Sequence, residues 1–302
     1  MEFAREPVLT SALGQLSPTS AKPWRKISEL RFKRVQASFK RFRKESKSKS
    51  QLMRRRTIAG NWKMYKTAQQ TAVFFEQFNP LIEGVGNCEI VIFPVSINIP
   101  TAVQATEETA IQIGAQNLFW AREGAYTGET SGEMLHAVGA TWVLVGHSER
   151  RQYFNESDTD ALRKTQAAIE AGLMPIVCVG ERLDDHKAGK AGDVLIRQFA
   201  GGIAGLTEEQ FAKIVVAYEP VWAIGTGQTA TPQIASQAHS LIRSEAEKRF
   251  GRDAAQQLRI LYGGSVKPDN IEALIRDPEI DGALVGGASL DPQSFAKIVK
   301  AA

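Results

Sequence analysis

The chain has 302 residues, 43% hydrophobic and 23% charged, which is ordinary globular composition for one large domain or two smaller ones. No apolar run approaches the ~18 residues of a membrane-spanning helix, and two cysteines offer no disulfide framework, which favours a reducing compartment. Residues 1–52 carry 13 Lys and Arg against 4 Glu, while the remainder carries 24 basic against 29 acidic residues, which argues against a nucleic-acid-binding body.

Residues 1–52 differ from the rest of the chain because they mix Ser and Pro with basic clusters. Three interpretations stay open: an Arg- and Ser-rich targeting segment, a helix that binds a membrane surface or a polyanion, and a disordered extension. Translation from Met53 would skip the segment altogether. We favour the disordered extension and predict a basic appendage over 1–52 and one folded domain over 53–302.

From Arg56 onward, short β-branched runs alternate with longer segments of helical pattern, such as 160–172 and 232–251. Eight runs are read as strands, at 57–61, 89–94, 111–117, 142–147, 174–181, 213–219, 259–265 and 282–287. The alternation predicts a parallel sheet, and the lack of period-two patterning indicates strands covered on both faces. Eight such units in about 250 residues predict a closed (β/α)₈ barrel of the α/β class. An open doubly wound sheet is the alternative, but no G-x-G-x-x-G follows the first strand.

Polar residues gather where these apolar strands end, which is where the active site of such a barrel forms. The strand-end set is Asn61, Lys63, Gln116, Asn117, His147, Glu149, Glu219, Ser265, Gly286 and Gly287. An apolar strand gains no stability by ending in a charge, so the repetition indicates a functional site. The glycine pairs in "YGGS" (262–265) and "VGG" (285–287) let backbone N–H groups approach an anion, and the two final loops therefore predict a phosphate site.

Two of these residues have the context of acid–base catalysts. Glu219 leaves a buried strand, so partial desolvation is expected to raise its pKa and suit it as a general base. Pro220 stiffens the chain directly after it, and "AIGTG" (223–227) is expected to move as a lid that excludes water. His147 precedes a predicted helix start at Ser148, which favours a neutral, hydrogen-bonding imidazole.

Together, a base, a neutral electrophile, a lysine and a phosphate cradle suit proton abstraction beside a carbonyl, with Lys63 stabilising the negative charge that develops. His136, His186 and His239 lie in helix-like segments and are read as structural.

Seven segments, in this order along the chain, resemble the triosephosphate isomerase family: "AGNWKM" (59–64), "GAQN" (114–117), "GAYTGE" (124–129), "GHSERR" (146–151), "AYEPVWAIGTG" (217–227), "YGGSV" (262–266) and "VGGASL" (285–290). The resemblance covers Arg56 to the C-terminus. It implies a TIM barrel, interconversion of dihydroxyacetone phosphate and D-glyceraldehyde 3-phosphate in glycolysis and gluconeogenesis, and a cytoplasmic homodimer. It implies no cofactor, no metal, and no nucleic-acid or membrane partner. If residues 1–52 act as a transit segment, organellar localisation is the alternative.

Carried over by motif, the resemblance implies that Glu219 is the base and His147 the electrophile. It makes Asn61 and Lys63 substrate-lining residues, with Lys63 also catalytic and Glu149 in support. The implied phosphate contacts are Gly225, Ser265, Gly286 and Gly287. Thr127 resembles the residue that reaches the neighbouring subunit's site. Gln228 and Tyr126 depart from the usual Lys and Phe, and neither touches the chemistry.

Two rival functions are weaker. Another phosphate-binding barrel enzyme, such as a decarboxylase or an indole-metabolism synthase, would not need "NWKM", the His147 site and the Glu-Pro lid together. A non-catalytic barrel kept as a scaffold would be expected to have lost Lys63, His147 or Glu219.

Overall fold

Eight parallel strands close into a barrel in the computed structural model, which describes residues 54–225 and 229–302. The strands are β1 (Arg56–Asn61), β2 (Cys88–Phe93), β3 (Gln112–Ala115), β4 (Trp142–Val145), β5 (Met174–Val179), β6 (Val215–Tyr218), β7 (Arg259–Tyr262) and β8 (Gly282–Val285). Each strand pairs with the next, and β8 returns to β1, where Thr57 lies opposite Gly282. The closed (β/α)₈ barrel predicted from the sequence is confirmed.

Helices follow the strands. In the described ranges they are α1 (Ala68–Leu81), α2 (Ile99–Ala105), α3 (Gly132–Ala137), α4 (Ser148–Tyr153), α5 (Asp158–Glu170), α6 (Leu183–Lys187), α7 (Ala191–Gly202), α8 (Glu208–Phe211), α9 (Pro232–Phe250), α10 (Arg252–Gln257), α11 (Ile271–Ile275) and α12 (Pro292–Ala301). Single 3₁₀ turns lie at Ser96–Asn98, Val221–Ala223 and Gly287–Ser289. None of these helices is long and apolar enough to cross a bilayer.

Local sequence sets where the longer helices begin. Thr67 caps α1 and exchanges hydrogen bonds with Gln70, and Ser157 and Asp160 do the same for α5. A capping side chain satisfies an otherwise unpaired N–H at the helix start and is worth about 1 kcal/mol. At α9 the Thr231 hydroxyl accepts the N–H of Ile234, and a proline occupies the first helical position.

Each strand buries both of its faces. Along β5, Ile176 and Cys178 belong to the cluster inside the barrel, while Val177 and Val179 belong to the cluster between barrel and helices. The prediction of strands covered on both faces is therefore confirmed. Every strand except β1 ends before its predicted limit; β5, for example, ends at Val179 rather than at residue 181. Apart from Asn61, which ends β1, the polar residues thus lie just beyond the strands.

The predicted basic appendage at 1–52, and its boundary with the folded domain, lie outside the described residues.

Candidate active site

Glu219 and His147 meet at the C-terminal end of the barrel. His147 Nε2 lies 3.0 Å from Glu219 Oε1, and the backbone N–H of Ser148 donates to Glu219 Oε2 at 2.9 Å. Both side chains are buried. His147 caps α4, because its Nδ1 accepts the N–H of Glu149 at 3.2 Å. Both carboxylate oxygens of Glu219 are therefore occupied by these contacts. The contacts must break before the carboxylate can accept a proton from a substrate.

The net pKa of Glu219 is lowered, which corrects the expectation that burial would raise it. Burial does act upward, but the charge and hydrogen bond of His147, the N–H of Ser148 and the charge of Lys63 outweigh it. The net pKa of His147 is raised, which runs against the expected neutral imidazole: burial and the charge of Lys63 act downward, but the charge and hydrogen bond of Glu219 and the charge of Glu149 outweigh them.

The sequence could not reveal this because it does not show that the two side chains pair with each other. The N–H directed at Nδ1 of His147 favours a neutral ring with its proton on Nε2. The neutral state of this histidine stays a prediction, and it becomes easier to reach once Glu219 moves away.

Lys63 is held in place through its main chain. Its φ of 52° lies in the left-handed region, which costs a non-glycine residue energy unless neighbours hold it. Asn61 Oδ1 accepts the Lys63 N–H at 2.9 Å, and Gln116 Nε2 donates to the Lys63 carbonyl at 2.8 Å. The ammonium group pairs with Glu149 Oε1 at 2.5 Å. Two amides therefore fix the backbone, and one partly exposed carboxylate holds the charge.

The predicted phosphate end lies beside this lysine. A Cβ built on Gly286 would come 3.5 Å from Lys63 Cε, so the loop after β8 lies directly beside the end of the Lys63 side chain. Ser265 is partly buried after β7, and its carbonyl accepts a hydrogen bond from Asn270. Gly225 has a φ of 71° on the lid segment. The rest of the predicted lid, from residue 226, lies outside the described residues, as does Gln228.

Thr127 is not joined to this group by any hydrogen bond that the described ranges contain, and its side chain is exposed. On the same loop Tyr126 packs against Phe119, with ring centroids 4.4 Å apart. The structure thus brings together Lys63, His147, Glu149 and Glu219, and leaves Thr127 apart from them.

Several supporting groups escaped the sequence analysis. Ser148 contributes through its backbone N–H, which no side-chain pattern reveals. Cys178 lies inside the barrel, and burial together with the charge of Glu219 raises its pKa well above the ordinary value, so the thiol stays protonated. A Cβ on Gly180 would overlap the carbonyl oxygen of Glu219 at 1.7 Å, so only glycine allows β5 and the base to approach this closely. The glycine in "VCVGE" was the available signal.

The strand end that carries His147 is braced by Glu156. This buried carboxylate accepts the Gly146 N–H at 3.1 Å, Arg150 Nε at 2.7 Å and Lys164 Nζ at 2.7 Å. Burial would raise the pKa of Glu156, but the charges and hydrogen bonds of Lys164 and Arg150 lower it. The carboxylate therefore stays ionised and fixes the peptide directly before His147.

No cluster of three or more His, Cys, Asp or Glu side chains in the described ranges has the arrangement of a metal site. The chemistry that this mouth supports with its own groups is acid–base. It has the buried carboxylate of Glu219, the His147 imidazole in contact with it, and Lys63 beside a glycine loop. The fold and the mouth define a (β/α)₈-barrel enzyme of the class that moves protons on small anionic substrates.

The chain belongs to the triosephosphate isomerase family, whose model matches residues 56–302. It is 62% identical over 247 residues to triosephosphate isomerase of Solibacter usitatus, covering 82% of this chain and 99% of that protein. It is 52% identical over 248 residues to the Citrifermentans bemidjiense enzyme of the same name, with the same coverage of both chains. The crystal structure of triosephosphate isomerase from Bartonella henselae superposes with a TM-score of 0.74 at 38% identity, covering 82% of this chain and 98% of that one.

Proposed function

We propose that Glu219, His147 and Lys63 carry out, in this chain, the reaction of its family. That reaction interconverts dihydroxyacetone phosphate and D-glyceraldehyde 3-phosphate and serves glycolysis and gluconeogenesis. The observation that supports the residue assignment is one connected series of contacts at the barrel mouth. Lys63 pairs with Glu149, His147 accepts a hydrogen bond from the Glu149 N–H, and His147 contacts Glu219.

The reaction needs a proton to leave the carbon beside a carbonyl and to return to the neighbouring carbon. The Glu219 carboxylate first moves away from His147 and Ser148 and then takes that proton. It returns the proton in the second half of the reaction. His147 Nε2–H is then free to donate to the carbonyl oxygen, and the imidazole moves a proton between the two oxygens of the enediolate. The Lys63 ammonium offsets the negative charge on those oxygens.

The phosphate stays unchanged and anchors the substrate. Gly225, Ser265, Gly286 and Gly287 are proposed to bind it through backbone N–H groups, with Asn61 lining the site. Binding energy from this remote group holds the reacting carbon near the base. Purified full-length protein should interconvert the two triose phosphates in a coupled assay, and inorganic phosphate should inhibit competitively. No turnover by folded protein would refute the assignment.

We also infer a homodimer formed through the loops after the first strands. Large apolar side chains are exposed in the segments that follow β1, β2 and β3, at Met64 (89%), Tyr65 (57%), Ile97 (82%), Tyr126 (48%) and Met134 (52%). Water-exposed apolar surface of this kind marks an interface. Thr127, on the same loop as Tyr126, would then support the partner's site.

Sedimentation of the full chain at micromolar concentration should show a dimer, and Ile97→Asp, which places a charge on this surface, should shift it to a less active monomer. A fully active wild-type monomer would contradict the inference. Cytoplasmic localisation is proposed with it; a reporter fused to residues 1–52 that enters an organelle would favour the transit alternative.

A further inference from the structure

A histidine that the reaction does not use contacts the lid hinge, which we define as residues 220–222. His186, on α6, stacks on the indole of Trp222, with ring centroids 4.3 Å apart and planes 27° from parallel. Trp222 lies in the 3₁₀ turn directly after Pro220, three residues beyond the base. The sequence predicts a structural histidine in a helix-like segment, and α6 confirms the helical position. The stack also brings the ring of His186 against the hinge residue Trp222.

Glu181 ties together the residues on both sides of the base. Its Oε1 accepts the Tyr218 hydroxyl at 3.1 Å and Trp222 Nε1 at 2.7 Å, and its carbonyl accepts the Val221 N–H at 3.0 Å. Tyr218 directly precedes Glu219, and Trp222 follows it closely. The loop after β5 therefore holds the residues on both sides of Glu219 along the chain.

Glu181 is fully buried, and its Oε2 has no hydrogen-bond partner among the described residues. Burial and the charge of Glu181 raise the pKa of Tyr218, so this phenol remains a neutral donor. A nearby cation stabilises a buried carboxylate whose other hydrogen-bond donors are neutral. His186 Nδ1 lies 3.7 Å from Glu181 Oε1 and supplies that cation whenever the imidazole is protonated.

Protonation of His186 also strengthens its contact with the indole, because a cation over an aromatic face is attracted to it. We propose that His186 is a positioning residue of the lid hinge. Its imidazolium clamps Trp222 against Glu181 and holds Glu219 in the engaged position on His147 and Ser148, so that turnover slows as His186 becomes protonated. The proposal rests on the function proposed above, since it takes Glu219 as the base that must move.

The charged groups around His186 are few. On its own helix these are Asp184, Asp185 and Lys187, and on the packed helix α7 they are Asp193 and Arg197. From β6 the neutral Tyr218 reaches the same carboxylate oxygen, and the 3₁₀ turn carries no titratable side chain. Of the charged side chains in the described ranges, only Glu181 lies within ion-pair distance of the imidazole. The ring is 36% exposed, so water can protonate it without unfolding and also screens part of the effect.

Fluorine NMR of the full chain with fluorinated tryptophan tests the hinge directly. The chain has five tryptophans, and Trp222→Phe identifies the signal of interest. That signal should shift in one step as the pH is lowered and His186 takes up a proton. The step should be absent in His186→Phe, which keeps the stack, and in His186→Arg, which keeps the charge. Lys187→Gln removes a neighbouring charge on the same helix and should titrate as the wild type does.

Turnover is measured on the same proteins. Relative to His186→Phe, the wild-type kcat should be equal near pH 8.5 and about two- to fivefold lower near pH 5.5, which is the size expected of a partly exposed cation–aromatic contact. The Arg variant should be slower than the Phe variant at both pH values. Acid titration of the Glu219–His147 pair is common to all variants and cancels in the ratio.

A Trp222 signal that is independent of pH, or that titrates equally in His186→Phe, overturns the proposal. So does a flat kcat ratio with the expected fluorine titration, because the hinge would then respond without affecting the base. If folded wild type shows no isomerase activity, the proposed function fails instead, and the fluorine titration still reports on the hinge.

Discussion

The two ends of the barrel use charged residues in different ways. At the N-terminal end, the buried guanidinium of Arg243 donates to Glu279, Asp281 and the carbonyls of Ala255 and Leu258, at 2.8–3.3 Å. At the C-terminal end, the described contacts of the Lys63 ammonium consist of one carboxylate, and both side chains of that pair are partly exposed.

The floor of the barrel, by which we mean the N-terminal end of its interior, also holds an arginine with several fixed partners. Arg259 bonds to Thr57 at 3.0 Å and contacts Glu89, and its guanidinium lies 5.5 Å from the centre of the Trp142 ring. The Trp142 N–H donates to Gln112 at 2.9 Å. These donors have acceptors on other strands, so the network joins the strands at this end of the barrel.

The comparison separates charges that hold the fold from charges that are available for chemistry. Saturated groups such as Arg243 cannot exchange partners without loss of stability, whereas Lys63 and Glu219 hold partners that a substrate can replace. In (β/α)₈ barrels the catalytic face is the C-terminal one, and the opposite face serves stability. Substitutions at the two ends should therefore separate activity from stability.

Lys63→Met should have the largest effect on activity. It removes the cation that stabilises the developing enediolate, and loss of one such electrostatic contact costs about 10²–10³ in kcat. Stability should change little, since exposed ion pairs contribute about 0–1 kcal/mol. Steady-state kinetics and thermal unfolding of the same preparation give both numbers.

A variant that retained a tenth of the wild-type kcat/KM would show Lys63 to be a bystander. A large loss of melting temperature would place Lys63 among the structural charges and break the comparison.

Arg243→Met should have the opposite result. Removing one partner from a buried ion pair costs about 3–5 kcal/mol, because Asp281 and two carbonyls lose a buried donor. The turnover per folded molecule should be unchanged below the melting temperature. Arg276→Met is the matched control, since its ion pair with Glu272 is exposed and its loss should cost under about 0.5 kcal/mol. Equal stability of the two variants would contradict the account.

Deleting residues 1–52 should have the smallest effect. We predict that this segment is an appendage, because ordering it would cost roughly 1–2 kcal/mol per residue in backbone entropy, more than we expect its apolar groups to offset. Residues 56–302 already match the family model and contain all eight strands. Rate, substrate affinity and melting temperature should stay nearly unchanged, and limited proteolysis should leave a resistant fragment of about 250 residues. Loss of several degrees on deletion would show that the segment packs on the barrel.

The sequence predicted the features that depend on local pattern and chain order. Eight apolar runs indicated the barrel, and the residues that follow them indicated the mouth, because strand ends in a parallel barrel must meet. The direction of the pKa shift of Glu219 could not be predicted, since it depends on which groups its two oxygens reach. The sequence placed Gln116 at the C-terminal end of the barrel, but it did not predict the hydrogen bond from Gln116 to the Lys63 carbonyl. The stack of His186 on Trp222 joins α6 to the 3₁₀ turn after Pro220, and neither segment of the sequence indicates the contact.

The most direct test of the account is solvent deuterium exchange with Glu219→Asp, run beside the wild type in D₂O. The wild type should place solvent deuterium on the carbon beside the carbonyl as it turns over, because the base exchanges its proton with water. The shorter side chain in the variant misplaces the carboxylate, and a displacement of about 1 Å costs about 10²-fold or more. Turnover and deuterium incorporation should both fall by that factor, while inhibition by inorganic phosphate stays near wild type. Near-normal turnover and incorporation in Glu219→Asp would contradict the central claim that Glu219 is the base.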